Sequence, residues 1–306
     1  MAMDLNPQYC SGFPAREKIL QSPGLAALWD FQDDSLRSLS PPCLTLESGG
    51  VPPVPANEGV FGPRSLKFEA AGDLAKGFLF LPAGSDHPLS LGGSDSQLTV
   101  MAWIKRGIST YKGCQFLAGV WNEHHRRQYG LFLNLKIWDS AEQVGAHVSQ
   151  HGGPTPGYPY CMDVAIGATP VPFGNWHCAA MTYDGKEAAA FLDGRLDVRE
   201  PQGEPGRNPF HLPGGLNPES ADFTVGAVSR PGRVERDPAG GFREIGSLIA
   251  NPFNGLLGGL AIFRRALSAS ELAEFSGNIQ HADKDRPGEI GVVAVPAGTD
   301  DQLAIL

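Results

Sequence analysis

The sequence predicts an all-β fold built from antiparallel sheets. Three observations carry this. First, about a dozen short strand-like runs succeed one another along most of the chain. Second, two Asp-Gly pairs, Asp184-Gly185 and Asp193-Gly194, sit between alternating runs and mark tight hairpins. Third, no helical pattern of 10–15 residues alternates with the runs, so a parallel α/β arrangement is excluded. Composition agrees. The 306 residues include 39 Gly and 26 Pro, with 42% hydrophobic residues. That is turn-rich, yet apolar enough for a large core, and it excludes collagen, coiled coil and wholesale disorder.

The elements follow in order. Residues 1–23 form a lead-in, in which Pro14 to Gln21 is expected to make a short helix with Pro in its first turn. Pro23-Gly24 then ends it. Strands are expected at Leu25–Phe31, Ser65–Phe68, Phe78–Leu81, Leu98–Lys105 and Phe116–Trp121. The Leu98–Lys105 run is apolar on both faces in its middle, which suits a strand between packed layers. Gln128 to Trp138 alternates most clearly. Tyr129, Leu131, Leu133, Leu135 and Ile137 share one face; Gln128, Phe132, Asn134, Lys136 and Trp138 share the other. Period two sends the first set to the core and leaves a polar, aromatic surface on the second. Trp176–Leu196 reads as a double hairpin, followed by strands at Phe223–Val228, Leu256–Phe263 and Ile290–Val295. Ser268-Ala-Ser-Glu271 is a capping box for a short helix that stops near Gly277. Glu200–Ala221 and Arg230–Asn254 read as long loops, uncommon in length unless functional. Residues 278–306 form a C-terminal extension, an added strand or a loose tail.

The net charge of −9 argues against non-specific nucleic-acid binding and against docking on an anionic membrane. No apolar run is long enough for a membrane-spanning helix. The first residues carry no secretory pattern, so the chain is expected to be cytoplasmic or to lack the leader of an exported protein. The five cysteines, Cys10, Cys43, Cys114, Cys161 and Cys178, include no CxxC. They read as mostly buried thiols, with one or two disulfides possible in an exported protein.

Four segments carry a family resemblance. They are Gly24-Leu-Ala-Ala-Leu-Trp-Asp-Phe31, Leu98-Thr-Val-Met-Ala-Trp-Ile104, Asn175-Trp-His-Cys-Ala-Ala-Met-Thr-Tyr-Asp-Gly185 with Phe191-Leu-Asp-Gly194, and Phe253 to Ser268. In that order they resemble the laminin-G-like, concanavalin A-like lectin-glucanase domains over residues 24–277. The closing strand with its Arg-Ala-Leu-Ser-x-x-Glu-Leu sequence is the most specific part. The resemblance implies a two-sheet antiparallel jelly-roll sandwich whose concave sheet forms a ligand groove. It also implies glycan or protein binding, often with calcium, and a kinship of fold with glycosidases and polysaccharide lyases. This chain departs at the closing strand, where family members often carry an acid and Gly258-Gly259 stands instead. Asp30 and Asp33, with Asp34, remain as possible carboxylate ligands for a calcium ion.

Two stretches concentrate chemistry. Trp121-Asn-Glu-His-His-Arg-Arg-Gln-Tyr129 links two strands and packs Glu123, His124, His125, Arg126, Arg127 and Gln128 into six consecutive positions. The segment His147–Cys161 holds His147, His151, Tyr158 and Tyr160 in a Gly/Pro-rich loop. Arginine suits planar bidentate binding of a carboxylate or sulfate. Tyrosine and tryptophan stack on sugar faces, and histidine can act as a base near neutral pH. The bland readings are a solvated hairpin tip and packing residues. The sequence leaves open whether the two stretches fall at one end of the sandwich. Metal binding by these histidines is a further option that the spacing disfavours, since His124 and His125 are adjacent and His147 lies four residues from His151 outside a helix. GxSxG, P-loop and HExxH motifs are absent, and no strand carries the paired acids of a glycosidase.

The leading expectation is a carbohydrate-binding, lectin-like module. Its ligand would be a glycan or other small polar molecule, held by Trp121, Asn122, His124, His125, Gln128, Tyr129, Asn134, Lys136, Trp138, His147 and Tyr160. The enzyme alternative is a glycan-active lyase or hydrolase using His151, Tyr158, Arg126 and Arg127. A protein-interaction domain is the third class. No cofactor other than calcium is suggested.

Overall fold

The computed structural model describes residues 14–277 apart from 73, 85–86, 109–110, 201–206, 239 and 241. Its architecture is a two-sheet β-sandwich with two short helices. The expected strand at Ile290–Val295 and the C-terminal extension lie outside the described residues.

The first sheet runs Arg195–Leu196, Glu187–Leu192, Trp176–Tyr183, Leu98–Arg106, Gly255–Phe263, Ser65–Phe68 and Val54–Ala56, with Leu25–Trp29 also on Gly255–Phe263. The second runs Val164–Ile166, Val144–Val148, Arg126–Leu133 and Gln115–Asn122, then forks. One branch is Phe223–Val225, Gly77–Leu81 and Glu47–Gly50; the other starts at Val228–Arg230. Among the described residues the strands pair antiparallel apart from Ser229 beside Asn122, and isolated parallel bridges join Arg106 to Phe173 and Ala165 to Arg207. Neighbours in the sheets are often far apart in sequence, as jelly-roll crossovers require.

The core lies between the sheets. Leu98, Val100, Ala102 and Ile104 face Val120, Tyr129, Leu131, Leu133 and Phe223. Trp29 and Phe223 stack across it at 6.1 Å. The other face of the first sheet is also buried. Met101, Trp103, Cys178 and Phe263 pack under Ile19 of helix Pro14–Gln21 and under Leu272 and Phe275 of helix Ala269–Ser276. This is why Leu98–Lys105 reads apolar on both faces. The capping box forms as expected: the Ser268 hydroxyl accepts from the Glu271 amide, and the Glu271 carboxylate accepts from the Ser268 amide. Arg265 donates twice to that same carboxylate, which sits at about pKa 2, held down chiefly by these bonds.

Both hairpins form, with different turns. Leu192 pairs Arg195, and Asp193 and Gly194 both have positive φ, as a type I′ turn needs. In the first hairpin Tyr183 pairs Ala188 and the Asp184 amide bonds Glu187. The two-residue loop is therefore Gly185-Lys186, with positive φ at Gly185 and an Asp184 carboxylate that accepts from the amides of Lys186 and Glu187.

Two expectations need correction. Glu200–Ala221 and Arg230–Asn254 are not bare loops. Asn208 bonds both backbone groups of Ala190, Phe210–His211 pairs with Glu187–Leu192, and Arg233–Arg236 pairs with Phe242–Ile245. Their Gly and Pro content masks short pairings that only distant partners reveal. Gly258-Gly259 also has a packing reason. A Cβ at either glycine would press into the rings of Trp176 or Phe61, which lie across the closing strand.

Candidate functional site

The strand expected at Gln128–Trp138 is Arg126–Leu133. Beyond Leu133 the backbone turns left-handed at Asn134, Lys136, Trp138 and Asp139. Asn and Asp tolerate that region better than most residues, and the Asn134 amide fixes the turn by donating to the carbonyls of Lys112 and Gly113. The alternation of Leu135 and Ile137 therefore imitates a strand. Leu135 packs on the outer face of the second sheet rather than in the core.

The Gln128, Phe132 and Asn134 part of the expected ligand floor is sealed, while Lys136 and Trp138 stay accessible. Gln128 is fully buried; its amide donates to Ser90 and to the Glu219 carbonyl and accepts from the Leu91 amide. Tyr129 belongs to the core, its hydroxyl bonded to the Leu89 carbonyl. Trp121, Phe116, Phe132, Val228 and Cys161 form an apolar cluster on the outer face. His147 is buried against Trp121 and Phe132, with ring centroids 4.9 and 5.1 Å away. Desolvation, and secondarily the nearby Arg127, push its pKa down to about 3. An imidazole held neutral out of water cannot serve as a surface base. The cover is the segment 149–163, which lays Cys161 on the cluster, its thiol directed at the Val148 carbonyl at 3.4 Å. Desolvation raises that thiol to about 12, so it behaves as an apolar group.

The two chemistry-rich stretches do meet at one end. Tyr129 pairs Val148, so the strand start at Arg126 and the exit at Ser149 are neighbours. Arg127, 2% exposed, donates to the Gly152 carbonyl at 3.1 Å and lies 3.7 Å from Glu123 and 5.9 Å from the Trp121 ring. It clamps hairpin to loop and is not available to a ligand carboxylate. Gly152, at φ +74, passes so close to the His125 carbonyl that a Cβ would collide with it. At the tip, Asn122 accepts from the His124 amide, and His124 reaches Ser247 at 3.1 Å. His125, Arg126 and His151 are exposed there. The catalytic set of Arg126, Arg127, His151 and Tyr158 is not assembled. Arg127 is committed to Gly152, and Tyr158 sits on Trp138.

That second contact defines the exposed aromatic rim. The Tyr158 and Trp138 rings meet edge-on at 5.8 Å. Tyr158 is 41% and Tyr160 45% exposed. Local bonds hold the rim. The Tyr158 amide donates to Thr155, the Thr155 amide to Tyr160, and the Met162 amide to the Thr155 hydroxyl. Arg199 donates to the carbonyls of Trp138 and Asp139 at 2.8 Å each. Lys136 is exposed on the same turn. Arg199 and Met162 carry no motif; only the fold brings them to Trp138.

The acids considered for calcium are committed elsewhere. Asp30 is buried, pairs with Arg16 at 2.9 Å and accepts from the Gln32 amide. Asp33 accepts from both the amide and the hydroxyl of Ser35, which hold its pKa down. Asp34 pairs with Arg64. These carboxylates do not converge on one point and do not fit a calcium ion, which wants six to eight oxygens. Among the described residues no cluster of three His, Cys, Asp or Glu side chains could hold a metal, and no helix is long and apolar enough to cross a membrane.

No protein-family model matches the sequence, and no curated protein sequence does. Solved structures do match the fold. Domain 4 of AbnA, an extracellular GH43 arabinanase from Geobacillus stearothermophilus, in complex with arabinotriose, aligns with a TM-score of 0.52 at 16% identity, over 82% of this chain and 98% of that one. The binding domain of botulinum neurotoxin DC in complex with SialylT gives 0.51 at 10% identity, over 84% and 52%. The binding domain of botulinum neurotoxin serotype D/C VPI 5993 gives 0.50 at 12%, over 86% and 53%. The chain spans about half the length of these neurotoxin domains. At such identities the similarity establishes the β-sandwich fold and nothing finer.

Proposed function

We propose that this chain is a carbohydrate-binding, lectin-like module whose ligand stacks on the rim of Trp138, Tyr158 and Tyr160. The observation that carries this is the exposed Tyr158 ring set edge-on against Trp138, with exposed Tyr160 two residues on in a loop whose backbone Thr155 holds. Preset aromatic faces give contact area at little entropic cost, and their C–H-facing surfaces suit sugar rings. Lys136 and the exposed part of Arg199 supply polar contacts at the edge. The shared fold supports the reading, since one neighbour was solved with arabinotriose and another with SialylT. Binding, rather than catalysis, is favoured because among the described residues no pair of acids and no activated nucleophile is brought together at the rim.

The test is titration of arabinotriose and sialylated oligosaccharides against the wild type and Tyr158→Ala, read by calorimetry or Trp fluorescence. Saturable binding weakened about tenfold by Tyr158→Ala, the loss expected for one stacking ring, supports the reading. Binding unchanged by Tyr158→Ala and Tyr160→Ala would sink it.

A further inference from the structure

A cleft elsewhere in the molecule shares no lining residue with the rim. Strands Ser65–Phe68, Leu98–Arg106 and Gly255–Phe263 lie side by side in the first sheet, and their ends open into a cleft of ≈ 540 Å³. Lys67, Lys76, Lys105, Arg106, Glu69 and Phe173 are among its lining residues. The volume is within the range of small-ligand sites.

The cleft is unusual in charge. The chain carries −9 overall, yet among the described residues four cations and a single carboxylate line this space. Lys105 is balanced by Glu58 at 2.6 Å, outside the lining, and Arg106 by Glu142. Lys67 and Lys76 instead share one carboxylate, Glu69, at 2.7 and 3.3 Å. Among the described residues those two cations, with one anion between them, leave one positive charge over at the cleft wall. Glu69 responds accordingly: bonds from Lys67 and Lys76 hold its pKa below the usual carboxylate value.

Phe173 supplies the other half of the site. Its ring is 43% exposed, while the buried Arg106 guanidinium lies 4.1 Å from its centroid. Arg106 is itself fastened by the Val171 carbonyl and Glu142. The ring is therefore a fixed apolar plate with an open side. Asn254 stiffens the wall, accepting from the Ala70 amide and donating to the Ile108 carbonyl.

We infer that this cleft binds an acidic sugar. The ring's C–H face rests on Phe173, and its carboxylate takes up the charge that Lys67 and Lys76 leave over. A neutral sugar would leave that charge uncompensated, and a bare anion would leave the plate uncovered. The inference is independent of the rim: the residues do not overlap, and the charge logic is different.

The experiment is calorimetric titration with trigalacturonate, its methyl ester and benzoate at low salt. The proteins are wild type, Lys67→Gln/Lys76→Gln, Glu69→Gln, Phe173→Ala and Tyr158→Ala. All five positions are at least part-exposed, so the variants are expected to fold, as circular dichroism would check. Trigalacturonate should bind the wild type, about tenfold more weakly to the double lysine variant and several-fold more tightly to Glu69→Gln, since charge-assisted contacts are the strong ones. Phe173→Ala should also weaken it, and Tyr158→Ala should leave it unchanged. The inference fails if trigalacturonate does not bind, if the methyl ester binds equally well, or if benzoate binds and trigalacturonate does not. It also fails if Tyr158→Ala, rather than the lysine change, abolishes binding; that result would credit the rim instead.

Discussion

Both sheets have their outer faces covered, but by different means. The first sheet lies under two helices that seal it chiefly with the apolar Ile19, Leu272 and Phe275. The second lies under the segment 149–163, which seals Trp121 and Phe132 with Cys161 and traps His147 and Arg127 at the edge. The helical cover keeps a regular apolar stripe and turns its charged side chains outward. The loop cover must satisfy its own backbone, so it brings Thr155, Gly152 and Ser149 into local bonds. It also leaves Tyr158 and Tyr160 on its outer side. A helix seals a face and hides itself; a loop seals a face and creates a new one.

The contrast can be attacked from the helical side first. Leu272→Ala should cost about 2–5 kcal/mol, the usual loss for a fully buried leucine, read as a lowered urea midpoint at unchanged slope. A loss under about 0.5 kcal/mol, the size of a surface effect, would mean that the helix does not seal its sheet. The second test addresses the loop. His147 is held neutral, with its pKa at about 3 against an ordinary 6.5. The unfolded chain takes up this proton as pH falls through about 6.5, and the folded chain does not until about 3. Stability is therefore fully present above that window and declines as pH falls through it. His87, also lowered chiefly by desolvation, adds to the same slope. Urea midpoints at pH 7 and pH 4 should differ less in His147→Phe than in wild type; an unchanged difference would place His147 in water. The smallest effect belongs to the top of the loop. Tyr158→Ala should change stability by under about 0.5 kcal/mol, measured by thermal melting, because its exposed ring covers little. A larger loss would make the tyrosine part of the seal rather than of a binding surface.

Much of the fold is legible because local signals and packing agree. Asp193-Gly194 demands two positive φ angles, Ser268 and Glu271 cap reciprocally, and the both-faces-apolar run at Leu98–Lys105 anticipates a strand buried twice over. The site is less legible because its deciding contacts are long-range. Gln128 looks like a surface amide until Ser90, Leu91 and Glu219 arrive to satisfy it. Arg127 looks like a ligand for anions until Gly152 claims it. Asn134, Lys136 and Trp138 keep a strand's spacing while their backbone is left-handed. Periodicity reports polarity, and it cannot report which polar groups a distant segment will bury. The cleft at Phe173 carries no sequence signal, since its lysines come from three separate strands and turns.

The covering segment leaves and rejoins the sheet at adjacent points: the Val148 amide bonds the Asp163 carbonyl, and His147 pairs Val164. Its length is thus decoupled from the strand register. Chain can be inserted or exchanged between those anchors at only a slowly rising entropic cost, provided a small apolar group still lands where Cys161 does. The scaffold therefore behaves as a holder with an interchangeable cassette, in which the outer loop surface can change while the sandwich of paired strands beneath stays constant.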